Sequence, residues 1–310
     1  MTDPAVRLEG LTRRFGDLTA VAALSFAVQP GELFGIVGPD GAGKTTLLRM
    51  LAGVLPPSAG DAHVLGLPVS REPERVKHEI AYMAQRFGLY EDLTVRENIL
   101  FYADLYRVPK RERPQRLERL YAFSRLGEFE GRLAGKLSGG MKQKLSLCCC
   151  LIHHPRVLLL DEPTFGVDPI SRRDLWLILH EMVAEGVTVL VSTSYMDEAE
   201  RCDRVAMLHE GRLLALDTPN QLRASLGGVM LALHADSGRG ARRAALTLPG
   251  VRAATLFGDT VHVHAGETMR PDWLQSTLAA QGVAVRAVEA IDPSLEDVFI
   301  NLVAGDDRAR

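Results

Sequence analysis

Short apolar runs alternate along this chain with longer stretches in which apolar residues recur every three or four positions. Val6-Arg7-Leu8-Glu9 and Leu24-Ser25-Phe26-Ala27-Val28 read as strands. Leu33–Val37, Val157–Leu160 and Val187–Val191 are apolar throughout and of strand length, the pattern of strands covered on both faces of a parallel sheet. Shorter strands are expected at Asp61–Leu65 and Glu79–Ala84, and at Val205–Leu208 and Leu213–Leu216 around a Glu210-Gly211 hairpin turn. Helical spacing marks Thr46–Leu51, Leu93–Tyr106, Arg111–Leu126, Met141–Ile152 and Ile170–Ala184. Thr94 is a candidate N-cap, with Glu97 at capping-box spacing, and Pro109 closes that helix. The next helix is highly charged around a Leu117/Leu120/Phe123 stripe, so a helical insertion interrupts the strand-rich parts.

Beyond Leu226-Gly227-Gly228 the pattern changes. Val229–Leu233 reads as strand, Gly240–Leu248 as helix, and Val251–Leu256 and Val261–His264 as strands joined at Gly258-Asp259. Trp273–Gln281 then reads as helix and Val283–Val288 as strand, the βαββαβ order of a ferredoxin-like unit. The expected division is 1–226 as an α/β domain, with an inserted helical part at about 86–155, and 227–304 as a small α+β domain. The polar end, 305–310, is expected to be disordered.

The chemistry concentrates at strand ends. Gly38-Pro39-Asp40-Gly41-Ala42-Gly43-Lys44-Thr45 follows an apolar strand and opens a helix that begins with Thr46, the context a P-loop requires. Its glycines let backbone N–H groups converge on phosphate oxygens, and the helix N-terminus adds partial positive charge. Lys44 would reach the β- and γ-phosphates, and the Thr45 hydroxyl would join Mg²⁺. A second flexible helix start, Leu137-Ser138-Gly139-Gly140-Met141-Lys142-Gln143, is a second anion-binding device. Two such devices mean either two phosphate sites or one site shared between two copies. Asp161-Glu162 ends a buried strand, where ligands of α/β sheets bind. Asp161 could hold Mg²⁺, and Glu162 could polarise a water for attack on a γ-phosphate. Phe15, in the expected turn Arg13–Asp17, fits either adenine stacking or ordinary packing.

Composition narrows the classes. At 46% hydrophobic and 24% charged, 310 residues can build a substantial core. The net charge of −3 offers no basic field for nucleic acid. No apolar stretch reaches membrane-spanning length, and the first ten residues lack a signal-peptide pattern. Work at a membrane would therefore pass through a partner. Cys148, Cys149 and Cys150 are consecutive and Cys202 stands apart, which fits a reducing compartment. A metal site from these cysteines with His153 and His154 is conceivable, but small buried helix residues account for them better.

From Ala5 to about Ala224 the chain resembles an ABC transporter ATP-binding subunit. Gly38–Thr45 matches Walker A, Gln85 the Q-loop, Leu137–Gln143 the signature, Val157–Asp161 Walker B, Glu162 the catalytic glutamate and Val167-Asp168 the D-loop. Phe15 matches the aromatic position that stacks on adenine. The 227–304 part, with Pro293–Phe299, resembles the tail of bacterial drug-resistance and ABC-2-type export ATPases. The resemblance implies head-to-tail dimers in which Walker A of one subunit and the signature of the other enclose one ATP. It also implies that Gln85 senses Mg²⁺ and γ-phosphate, that segments near Phe87–Glu97 meet an integral membrane permease, and that the subunit is peripheral on the cytoplasmic membrane face.

Three departures stand out. Asp40 replaces the usual asparagine, and its carboxylate would oppose phosphates unless it points away. Met141-Lys142-Gln143 varies the end of the signature. Ser194 occupies the position of the family's switch histidine. A hydroxyl can hydrogen-bond a γ-phosphate oxygen but cannot carry positive charge. The leading expectation is the ATP-hydrolysing subunit of an exporter, slow if Ser194 limits it. A regulatory ATP-binding half paired with an intact ATPase, and a soluble non-transport ATPase, are the alternatives.

Overall fold

The structure, a computed structural model, describes residues 3–86 and 88–309. Two compact units divide at Asp217/Thr218. The boundary expected at 226/227 therefore moves earlier, because the helix Pro219–Ser225, unforeseen in the sequence, belongs with the second unit.

The first unit carries β1 (Val6–Phe15), β2 (Leu18–Val28), β3 (Leu33–Val37), α1 (Lys44–Leu51), β4 (Ala59–Val64), β5 (Leu67–Pro68), α2 (Pro73–Glu79) and β6 (Ile80–Met83). There follow α3 (Val95–Leu105), α4 (Arg113–Ser124), α5 (Gly139–Leu151), β7 (Val157–Asp161), α6 (Pro169–Ala184), β8 (Thr188–Thr193), α7 (Met196–Ala199), β9 (Arg204–His209) and β10 (Arg212–Asp217). A six-stranded sheet runs β10-β9-β3-β8-β7-β6, parallel except for β10. Every residue of β3, β7 and β8 is buried, as their unbroken apolar character requires. A second, antiparallel sheet runs β2-β1-β4-β5. Between the sheets lies a core that includes Phe34, Ile36, Leu47, Leu48 and Leu159, with Phe26 stacked on Phe34 at 5.3 Å. Burying each such side chain contributes about 1.5–3 kcal/mol.

The turn expected over Arg13–Asp17 is shorter than that: β1 runs on through Phe15, and only Gly16-Asp17 turns. The α3 cap forms as its spacing predicts. Thr94 Oγ1 accepts from the Glu97 N–H at 3.2 Å, and Glu97 Oε2 accepts from the Thr94 N–H at 2.8 Å. The cysteines of α5 are buried among apolar neighbours, and among the described residues no group of three or more metal-ligating side chains assembles.

The second unit comprises α8 (Pro219–Ser225), β11 (Val229–Ala235), α9 (Gly238–Ala245), β12 (Val251–Phe257), β13 (Thr260–Ala265), α10 (Pro271–Ala280), β14 (Val285–Ile291) and α11 (Leu295–Ala309). Its antiparallel sheet runs β12-β13-β11-β14, the ferredoxin-like order. Val261 and Val263 face a core with Leu274 and Leu278 of α10. The alternate residues of β13, His262 and His264, reach Asp297 and Asn301 of α11 at 2.9 and 2.8 Å. The expected disordered tail is corrected here: α11 continues to Ala309, started by Ser294, whose Oγ accepts from the Asp297 N–H at 3.2 Å. Arg310 lies outside the described residues.

Candidate functional site

Four strand ends of the parallel sheet meet at one cleft of about 310 Å³. The end of β3 supplies the Gly38–Thr45 loop, β7 supplies Asp161 and Glu162, β8 leads into Ser194, and Gln85 follows β6. Ligands of α/β sheets bind at such carboxyl ends. Gly43 caps α1 with φ of 98°, and a Cβ there would lie 2.3 Å from the Ala20 carbonyl, so only glycine fits. The Glu210-Gly211 hairpin braces the same loop, with the Gly211 N–H donating to the Ala42 carbonyl at 3.2 Å.

Lys44, only 5% exposed, points back over its loop. Its ammonium donates to the carbonyls of Gly38 at 2.7 Å and Pro39 at 3.1 Å and to Ser194 Oγ at 3.0 Å. It also pairs with Glu162 Oε1 at 3.1 Å. Thr45 Oγ1 donates to Asp161 Oδ1 at 3.0 Å. Ser192 Oγ donates to the same oxygen at 2.8 Å, and Tyr82 OH lies 3.4 Å from Asp161 Oδ2. Burial first, then the Asp161 charge, holds the Tyr82 hydroxyl above its ordinary pKa, so it stays a donor.

Glu162 is the strained residue of the site, with φ of 49°. Such a conformation costs about 1–3 kcal/mol for a side-chain-bearing residue. It is held there by its own N–H, which donates to Ser192 Oγ at 3.0 Å and to the Ser192 carbonyl at 3.2 Å. The carboxylate then accepts from Ser194 Oγ at 2.8 Å and from Gln85 Nε2 at 3.2 Å. Asp40 does not turn away: its Oδ1 lies 3.5 Å from Ser194 Oγ, on the cleft. Phe15, at the tip of the β1–β2 hairpin, lines the cleft with Leu18, is 45% exposed, and carries the Arg13 guanidinium 4.6 Å from its ring centre.

The signature residues Ser138, Gly139 and Gly140 are not in this cleft. They start α5, where Ser138 Oγ accepts from the Met141 N–H at 3.3 Å. Gly140 sits so tightly on α6 that a Cβ would fall 2.2 Å from Ser171 Oγ. Ser138 and Gly139 are exposed, as is Asp168, which caps α6 by accepting from the N–H groups of Ile170 and Ser171. Of the expected partner-facing segment, Phe87–Glu97, Phe87 lies outside the described residues and Tyr90 is exposed; Phe101, further along α3, is exposed as well.

Two contributors escaped sequence reading. Ser192 braces Asp161 and Glu162, and its signal was a hydroxyl ending an otherwise apolar strand. Tyr82 touches Asp161 from a strand whose sequence carries no motif.

A P-loop at the C-terminal edge of a parallel sheet, with a carboxylate pair on the neighbouring strand end, defines a P-loop nucleotide-binding protein. Residues 21–165 match the family model "ABC transporter", and residues 218–303 match "ATP-binding protein DrrA1-3-like, C-terminal domain". The chain is 46% identical over 98% of its length to the "Probable multidrug ABC transporter ATP-binding protein YbhF" of Escherichia coli, covering 53% of that protein. It therefore spans about half the length of that relative. It is 36% identical over 97% of its length to the "Nod factor export ATP-binding protein I" of a Rhizobium species, covering 98% of it. A dimeric post-hydrolysis ATP-binding cassette bound to ADP and Pi superposes with a TM-score of 0.62 at 25% identity, over 69% of this chain and 98% of that one. The chain belongs to the ATP-binding proteins of ABC transporters.

Proposed function

We propose that this chain binds and hydrolyses MgATP and powers an exporter. The observation that carries the reading is the convergence of Lys44, Thr45, Asp161, Glu162 and Ser194 within hydrogen-bond distance on one P-loop. The adenine stacks on Phe15, and the Gly41–Thr46 backbone takes the phosphates at the start of α1. Lys44 exchanges its loop carbonyls for β- and γ-phosphate oxygens. Thr45 Oγ1 and Asp161 Oδ1, 3.0 Å apart, are hard oxygen donors at a spacing that suits adjacent ligands of Mg²⁺, whose bonds are about 2.0–2.1 Å. Asp40, Asp161 and Glu162 outnumber Lys44 around the cleft, so a bare triphosphate would meet repulsion that the cation relieves. The cation supplies charge neutralisation on the phosphates, and Gln85 stands beside Glu162 to respond to it.

Glu162 is the base that takes the proton of the attacking water. Ser194, in place of an imidazole, holds the Glu162 carboxylate and is placed to donate to a γ-phosphate oxygen, without a positive charge to offer. Turnover is therefore slow unless a second cassette supplies a complete site. The exposed Ser138-Gly139 turn, outside the chain's own cleft, fits a role in closing the ATP site of a second cassette. Partners are a second ATP-binding subunit and an integral membrane permease; among the described residues no helix is long and apolar enough to cross a membrane. The chain then works on the cytoplasmic membrane face. The printed name of the Nod factor export relative supports the direction of transport.

The reading is tested by calorimetric ATP titration and phosphate release with Mg²⁺, for wild type and Lys44→Ala. Loss of the ammonium removes charged hydrogen bonds of about 1.5–3 kcal/mol, so affinity falls roughly 10- to 100-fold. Equal affinity in the two proteins refutes it.

A further inference from the structure

Glu198 is a buried acid that the reading above leaves unused, although it joins three parts of the site. It lies on α7, four residues beyond Ser194, and is 1% exposed. Its Oε2 accepts from Thr193 Oγ1 at 2.7 Å and from Thr164 Oγ1 at 2.8 Å. Thr193 immediately precedes Ser194, and its Oγ1 also accepts from the Tyr195 N–H at 3.0 Å. Thr164 is two residues after the strained Glu162. The other oxygen, Oε1, faces Arg172 Nε of α6 at 3.4 Å. Neither of those two atoms has a hydrogen-bond partner among the described residues. Arg172 also lies over the Tyr195 ring, 4.4 Å from its centre.

A buried carboxylate with no compensation is costly, so something must hold it there. What holds it is two hydroxyl donors, one from the Glu162 loop and one from the Ser194 turn, together with the Arg172 charge of α6. Gly140 of the signature packs on α6 at Ser171, the residue before Arg172, without room for a methyl. We propose that Glu198 is a positioning residue: it ties the Ser194 turn and the Glu162 loop to α6, so that movement of the signature end of α6 sets the alignment of the water-activating pair. The proposal rests on the ATPase reading. At 3.4 Å the two atoms form an ion pair but are not aligned as a hydrogen bond, and active-site contacts of this kind tighten in the productive complex.

The substitution Glu198→Gln separates the arms. Its carbonyl oxygen still accepts from both threonines, while its amide faces Arg172 donor to donor, so only the α6 link is cut. Arg172→Met cuts the same link from the other side and leaves Glu198 in place. For the full chain with Mg²⁺ and ATP, each variant lowers kcat roughly 10-fold or more, as loss of a supporting contact does at comparable sites. KM and calorimetric ATP affinity stay within about twofold, because the nucleotide contacts are untouched. The double variant is no slower than the slower single one, since both cut one link. Variants with wild-type kcat, or with kcat and affinity falling together, overturn the proposal. If wild type itself binds ATP and shows no hydrolysis, the ATPase reading falls instead. Hydrogen exchange of the 162–168 and 193–199 segments then decides: faster exchange in both segments for both variants supports the tie, and unchanged exchange overturns it.

Discussion

Replacing Glu162 by glutamine keeps the side chain's length and branching and removes its charge and basicity. The glutamine carbonyl can still accept from Ser194 Oγ and Lys44 Nζ, now at 2.8 and 3.1 Å from Oε1, while its amide turns to Gln85, whose own amide rotates to accept. The cleft therefore keeps its shape. The ion pair with Lys44 is lost, yet the ammonium retains the Gly38 and Pro39 carbonyls at 2.7 and 3.1 Å, so the folding cost stays near 1–2 kcal/mol rather than the 3–5 of a stranded buried charge. A unit of this size loses only a few degrees of Tm per kcal/mol. The chemical step loses its base, which is worth about 10²–10⁴ in rate, or roughly 3–5 kcal/mol of barrier. The assay is steady-state phosphate release beside calorimetric ATP binding and a melting curve. A variant that binds ATP like wild type, melts within a few degrees of it and still hydrolyses at more than about a third of its rate refutes the role of Glu162.

Ser194→His should raise turnover of the isolated chain, because an imidazole restores an oriented, chargeable contact of the kind worth roughly 3–4 kcal/mol when lost. The gain should shrink when a second, complete cassette is present, and no gain in either setting moves the slow step to closure or product release. A separate expectation concerns acid. Burial against Tyr106, whose ring stacks on it at 3.8 Å, lowers the His153 pKa from its ordinary 6.5. Below about pH 6.5 the unfolded chain takes up a proton that the folded chain resists, so stability falls as pH drops through that value. The urea midpoint should be lower at about pH 5.5 than at 7.5, and His153→Gln should flatten that dependence; an unchanged slope removes His153 from the account.

Much of the fold could be read in advance because it rests on local rules. The unbroken apolar runs of β3, β7 and β8 announce a buried parallel sheet, and Thr94 with Glu97 writes the start of α3. The βαββαβ order of the second unit followed from alternation and turns, each a near-neighbour signal. The short helices α2, α7 and α8 did not show, because four to seven residues carry too little periodicity. Polarity suggested disorder from Gly305 onward, where the chain instead prolongs a helix started upstream at Ser294. In the site, motif spacing pointed to Lys44, Asp161 and Glu162. Their mutual arrangement did not show: the Lys44–Glu162 pair spans the P-loop and a different strand, and the left-handed turn at Glu162 depends on Ser192. Such contacts are set by how strands stack, which no local window contains.

The four cysteines have a consequence of their own. Cys148, Cys149 and Cys150 sit on α5, and Cys202 follows α7 beside β9. Burial pushes every one of these thiols upward, Cys148 to about 12, so the reactive thiolate is nearly absent while the fold stays shut. In the folded state these four thiols are thus poorly reactive toward alkylating and oxidising reagents although no disulfide protects them. Each thiol becomes available only when its own neighbourhood breathes. The α5 triplet and the lone Cys202 accordingly act as two separate clocks, one timing the opening of the helical insertion and the other the loosening of the central sheet.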